Sequence, residues 1–180
     1  MRFRDIPPFG AAIIEPEPAA DDRGLFARLF DADAFRARQL PTKFVQASTS
    51  YNRRRGTLRG LHYQAEPHAQ AKLVRCTAGA VFDVIVDVRA GSPTFGSWQS
   101  FELNDENRLT LFVPSGFAHG FETLVDGTEI FYQMTGPHVP AAERGIIWND
   151  PDLAIAWPLV PTVMSDRDRA LPRLRSGRVS

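Results

Sequence analysis

Apolar residues recur along most of this chain in short runs, not at helical spacing. Residues 57–64 (TLRGLHYQ), 71–79 (AKLVRCTAG) and 80–91 (AVFDVIVDVRAG) are rich in β-branched and aromatic residues and bounded by turn formers, which predicts strands. The same pattern predicts strands at 11–18, 24–30, 43–50, 97–104, 108–116, 117–127 and 128–136. Residues 31–40 (DADAFRARQL) break the rhythm. Aspartates at the start, Phe35 and Leu40 as apolar anchors and Pro41 as a stop predict a helix there. Asp126-Gly127, between two apolar runs, predicts a hairpin. Beyond Pro137 the chain becomes irregular and proline-rich, with a short C-terminal helix expected in SDRDRAL. Turns every 8–14 residues or so, with no repeat and no break in composition, predict one all-β domain spanning residues 1–180. An antiparallel jelly roll, a β-sandwich or barrel with short peripheral helices, fits best.

Composition narrows the chemistry. Lysine plus arginine (21) equals aspartate plus glutamate (21), so no bulk field favours nucleic acid or a membrane surface, and any anion needs a local cluster. Arg53-Arg54-Arg55 reads as a solvated loop face. A single cysteine, Cys76 in an apolar run, excludes an internal disulfide framework and reads as core packing. The N-terminus MRFRDIPPFG lacks the apolar stretch of a secretion signal, and no run approaches a membrane span, so a cytoplasmic protein is expected.

Several ionisable residues fall on predicted strands. A jelly-roll metal site wants two histidines one residue apart on a strand, but His62 is followed by Gln64, and His68, His119 and His138 stand apart. No metal is expected. Strand alternation puts Leu58, Gly60, His62 and Gln64 on one face and Arg59 on the other, unless Gly60 marks a bulge. His62 is either a hydrogen-bonded core histidine or a proton-transfer group. Lys72 shares a face with Val74 and Cys76, so it points inward, with Asp83 as a plausible partner. Whether that pair is structural or serves a substrate stays open. Tyr132 shares a face with Thr128 and Ile130, which suits packing or an inward phenol.

These residues sit in longer motifs. GTLRGLHYQ, KLVRCTAGAVFDVIVDVRAGSPTFG, VPSGFAHGF and ERGIIWNDPDLAIAWP, with DDRGLF and SDRD outside them, resemble the dTDP-4-dehydrorhamnose 3,5-epimerases, from about Phe9 to Pro172. The resemblance implies a metal-free cupin jelly roll without cofactors, acting on a nucleotide-diphosphate sugar as a homodimer whose N-terminal strands cross to the partner. It implies that His62 is the base, Asp168 its partner, Tyr132 the acid and Lys72 the group beside the keto oxygen. It implies substrate-binding roles for Arg23, Phe26, Arg28, Gln46, Ser48, Arg59, His119 and His138. Inversion through an enolate needs a base on one ring face and an acid on the other. Histidine titrates near working pH, and a tyrosine phenol keeps its proton there. The same three groups serve inversion at C3 alone or at both C3 and C5.

Three positions depart from the family pattern: Arg28 in place of glutamate, Ser48 in place of asparagine, and His138 in place of tyrosine. Arginine donates to cytosine or guanine acceptors but cannot accept from thymine N3–H. Two readings follow: CDP or GDP as the nucleotide, or a drifted loop with dTDP retained. A non-catalytic sugar-nucleotide sensor is the alternative from another class.

Overall fold

In this computed structural model the described residues are 1–174. The strands are β1 (Arg2–Ile6), β2 (Ala11–Glu15), β3 (Ala19–Asp21), β4 (Gly24–Phe26), β5 (Gln46–Asn52), β6 (Leu58–Gln64), β7 (Lys72–Ala78), β8 (Ala80–Asp87), β9 (Trp98–Asn104), β10 (Thr110–Val113), β11 (Phe117–Thr123), β12 (Thr128–Met134) and β13 (Glu143–Gly145). Two short helices, α1 (Ala32–Ala37) and α2 (Asp166–Arg169), complete the fold. A six-stranded sheet in the order β1-β2-β10-β7-β12-β5 faces a five-stranded sheet in the order β13-β6-β11-β8-β9. Strand pairing within both is antiparallel, giving the cupin-type jelly roll expected.

Alternation along the strands decides what lies between the sheets. Ile13, Val74, Leu111 and Ile130 from one sheet meet Val81, Ile85, Leu103 and Phe121 from the other in a sealed core. Burying each such side chain stabilises the fold by about 1.5–3 kcal/mol. The outer face of the six-stranded sheet is closed by α1, where Phe35 packs with Ile14, Leu73 and Phe112. Asp31 caps α1 by accepting from the N–H groups of Asp33 and Ala34. The outer face of the five-stranded sheet is covered by the C-terminal segment through Ile146, Leu153 and Ile155, which pack on Leu61, Val84 and Val86. Asp150 pins that segment, accepting from the N–H of Leu174 at 2.6 Å.

Some expectations need correcting. Residues 124–127 do not close a hairpin, because β11 and β12 belong to different sheets. Asp126-Gly127 reverses the chain while carrying it across the sandwich. Asp126 accepts from the N–H of Arg55 at 2.6 Å, and Gly127 takes a positive φ of 67°. The strand expected at 24–30 ends at Phe26, because Phe30 is drawn into the aromatic cluster around Phe35, 4.8 Å between ring centroids. β1, β13 and the short exposed β3 were not anticipated, and of these β1 and β13 join the main sheets. Both are short edge strands, and neither shows alternation strong enough to read.

Candidate active site

The sealed core fills one end of the sandwich, and polar side chains line a cavity of about 470 Å³ at the other. That volume suits a small-molecule ligand. His62, Arg59 and Gln64 come from β6, Lys72 from β7, and His119 from β11. Gln46, Ser48 and Ser50 come from the inward face of β5, Tyr132 and Met134 from β12, and Asp168 from α2.

Arg59 and His62 reach the same cavity because β6 carries an extra residue. His119 pairs with His62 and Phe121 with Arg59, so two residues of β11 span three of β6. This is the bulge that Gly60 suggested, and it overrides the simple alternation of Leu58, Gly60, His62 and Gln64. Gly60 adopts φ 116°, and a Cβ there would lie 2.7 Å from the Gly120 Cα. A Cβ on Gly120 would in turn meet the Arg59 carbonyl oxygen at 2.7 Å. Only glycines allow the two strands this close.

The bulge also aims a backbone N–H at α2. Asp168 accepts from His62 Nε2 at 2.7 Å and makes a longer contact to the Gly60 N–H at 3.4 Å. Ser165 caps α2 by accepting from the Asp168 N–H at 3.1 Å, which fixes the carboxylate's position. Burial pushes the Asp168 carboxyl up, but hydrogen bonds from His62 and Gly60 outweigh it and hold it below the usual range. With Nε2 donating to that carboxylate, Nδ1 remains as the acceptor of the His62 ring.

Lys72 is partly buried in the cavity wall, and burial draws its ammonium down to about 8 against the attraction of Asp83 and then Glu143. Burial also raises the Tyr132 phenol, with the charge of Asp83 adding to it, so the hydroxyl stays protonated. Asp83 was anticipated as the partner of Lys72. Its hydrogen bonds go instead to His119, whose Nε2 lies 2.9 and 2.8 Å from the two carboxylate oxygens. The His119 ring stands edge-on to Tyr132, 6.1 Å between centroids.

Of the anticipated residues, Gln46, Ser48, Arg59, His62, Lys72, His119, Tyr132, His138 and Asp168 line this cavity. Arg23, Phe26 and Arg28 do not. Arg23 pairs with Asp21 on the exposed β3–β4 ribbon, Phe26 is 79% exposed, and Arg28 donates to Asp31 at 2.7 Å. The single chain holds them away because the ribbon hydrogen-bonds to neither sheet and its strand residues are exposed. Sequence reasoning missed Ser50, Gln70, Met134, Glu143, Ser165 and Arg167. Alternation from Ser48 and Tyr132 could have found Ser50 and Met134, whereas Glu143, Ser165 and Arg167 arrive through irregular chain. Glu143 bonds Arg167 and stands 3.7 Å from the His138 ring, linking β13 to α2 at the mouth. Gln64 ties the mouth together, accepting from the Val139 N–H at 2.7 Å and donating to the His68 carbonyl at 2.8 Å. Among the described residues, no three His, Cys, Asp or Glu side chains converge as metal ligands.

A group able to take a proton and another able to give one, with a cation ready for the negative charge formed between, define a jelly-roll isomerase. Comparison with known proteins narrows that class. The family model described as dTDP-4-dehydrorhamnose 3,5-epimerase matches residues 7–176. The dTDP-4-dehydrorhamnose 3,5-epimerase of Sinorhizobium fredii is 46% identical over 97% of this chain and 90% of its own length. The crystal structure of the Bacillus anthracis dTDP-4-dehydrorhamnose 3,5-epimerase, with TDP and PPi bound, superposes with a TM-score of 0.92 at 41% identity. It covers 96% of this chain and 100% of that one. A 3′-monoepimerase from Streptomyces bikiniensis in complex with dTDP-quinovose gives 0.86 at 36% identity, covering 91% of this chain and 83% of that one. The chain belongs to the dTDP-4-dehydrorhamnose 3,5-epimerase family.

Proposed function

We propose that this enzyme inverts C3 and C5 of a dTDP-4-keto-6-deoxyhexose, removing and returning protons through an enolate. The observation that carries the reading is His62, held by Asp168 at 2.7 Å, in one cavity with a Tyr132 phenol that keeps its proton. His62 Nδ1 takes the proton next to the C4 ketone. Lys72 meets the oxygen on which the negative charge collects, and Tyr132 delivers a proton to the opposite ring face. Arg59 holds the diphosphate, so the sugar is presented to these groups as if tethered.

Gln46, Ser48 and His138 lie toward the nucleoside in this reading. Thymidine is assigned because Arg28, the residue that raised cytidine and guanosine, is engaged with Asp31. The relatives from B. anthracis and S. bikiniensis were likewise crystallised with TDP and dTDP-quinovose. The protein acts as one domain in a cytoplasmic homodimer, with Arg23 and Phe26 reaching the neighbouring protomer's cavity. The exposure of Phe26 (79%) and Leu25 (45%) on the β3–β4 ribbon supports that exchange.

Incubation with dTDP-4-keto-6-deoxyglucose in D2O, read by NMR, tests the reaction. Deuterium at both C3 and C5 is expected. Deuterium at C3 alone makes the enzyme a monoepimerase, and none at either carbon removes the catalytic reading. Titration with dTDP, CDP and GDP tests the nucleotide, and tighter binding of CDP or GDP overturns the thymidine assignment.

A further inference from the structure

Asp83 transfers no proton in the reaction above, yet it lies fully buried behind the wall of the same cavity. It occupies the inward face of β8 between Val81 and Ile85, both at 0% exposure. Its register partners are Phe121 on β11 and Phe101 on β9. A carboxylate in such apolar surroundings is costly unless its charge is answered. The other buried aspartate of this strand, Asp87, is answered by Arg89, Ser92 and Thr94. Asp83 has no arginine; burial raises its carboxyl, and His119 and then Lys72 oppose that rise. Its hydrogen-bond partner is His119, through both oxygens, and the cation it attracts is Lys72.

Lys72 in turn forms no ion pair within 4.0 Å among the described residues. Glu143, the second acid that Lys72 feels, is already engaged by Arg167. We propose that Asp83 is a positioning residue for the epimerisation: its one negative charge orients the His119 ring through Nε2 and keeps Lys72 an ammonium. Lys72 then bears on the substrate oxygen as a donor, while His119, its Nε2–H given to Asp83, keeps Nδ1 as an acceptor. The proposal rests on the reaction assigned above. It adds a residue that touches no substrate but decides the charge and orientation of two that do.

The remaining groups around Lys72 and Asp83 leave the sign of the effect clear. On β7, Cys76 is pushed up to about 11, chiefly by burial, with Asp105 and then Asp83 adding to it, so it remains a thiol. On β12, Tyr132 remains a phenol for the same causes, with Arg59 opposing. On β6 and α2, His62 and Asp168 answer each other. At the mouth, Glu143 and Arg167 pair, with His138 beside them. Removing the Asp83 charge therefore acts first on Lys72, whose ammonium loses the stronger of its two carboxylate attractions and titrates at lower pH.

The test compares the parent with Asp83→Asn. In the parent, kcat falls as pH rises through about 8, where Lys72 gives up its proton. In Asp83→Asn, kcat should drop about 10²-fold, the scale of losing one donor to a developing oxyanion, with KM little changed. The alkaline limb should also move to lower pH. A folded variant whose limb stays where the parent's is overturns the proposal, even with a lower kcat or melting temperature, because a merely structural role would do that. A second measurement needs no variant. Nitrogen-15 NMR of the parent's His119 should show the tautomer protonated at Nε2, and protonation at Nδ1 with Nε2 bare overturns the proposal. A parent that exchanges no substrate proton removes the reaction itself, and the tautomer then still decides whether Asp83 holds the ring as described.

Discussion

His62 and His119 are register partners on neighbouring strands, and both spend Nε2 on a carboxylate. Access separates them: the His62 side chain is 37% exposed and that of His119 is 5%. A proton acceptor has to meet a moving substrate hydrogen, and only the open ring can. His62→Asn should therefore abolish both deuterium wash-in and product, measured by NMR in D2O. Tyr132→Phe should reduce product about 10²–10⁴-fold while wash-in persists, because the phenol acts only after the proton has left. Loss of wash-in with Tyr132→Phe would shift the first proton transfer onto the phenol. At this scale the sequence was informative where partners are close. Alternation pointed Lys72 and Tyr132 inward, but it could not reveal that Asp83 reaches diagonally to His119. Nor could it join Asp168 to a histidine 106 positions away. That pairing was expected from the resemblance alone.

Single elements carry their own constraints, and the bulge in β6 is the sharpest. It brings Arg59 and His62, three residues apart, to one cavity, and it depends on the bare contact between Gly60 and Gly120. Gly120→Ala should lower stability by about 1–3 kcal/mol, as overpacking does, and should lower kcat with it. Chemical denaturation and steady-state kinetics on the same preparation check both. A variant with parental stability and rate would mean the strands have slack that the 2.7 Å approach excludes. The glycine inside a run of ionisable residues made this bulge legible beforehand. The Asp126-Gly127 turn was misread for the opposite reason. Turn chemistry reports that the chain reverses, whereas the sheet that receives the next strand depends on long-range burial. β12 pairs with β5 and β7, strands distant in sequence, and no local signal names them.

The whole molecule divides labour between two ends of one sandwich: packed aliphatic side chains at one, an open polar cavity at the other. The most exposed large apolar residue of the β3–β4 ribbon is Phe26, on an element that hydrogen-bonds to neither sheet. If those arms serve the neighbouring protomer, Arg23→Ala and His62→Asn chains, each nearly inactive alone, should complement when co-expressed. About a quarter of parental activity is expected, since half the dimers are mixed and one of their two sites is intact. No recovery would place Arg23 outside the shared site or the protein outside a dimer. Overall architecture was readable because strand runs and turn residues repeat at regular spacing. The ribbon's destination was not, because a single chain's pattern does not say whose surface an arm will meet.

α2 follows every strand of both sheets along the chain, yet it supplies the carboxylate that orients His62. A ribosome therefore finishes all the β-structure before it adds Asp168. The growing polypeptide can shape its binding cleft while still unable to work on a sugar. Competence arrives only with α2, so a product cut short just before Ser165, which keeps Ile146, Leu153 and Ile155 over the five-stranded sheet, should be a folded but silent shell.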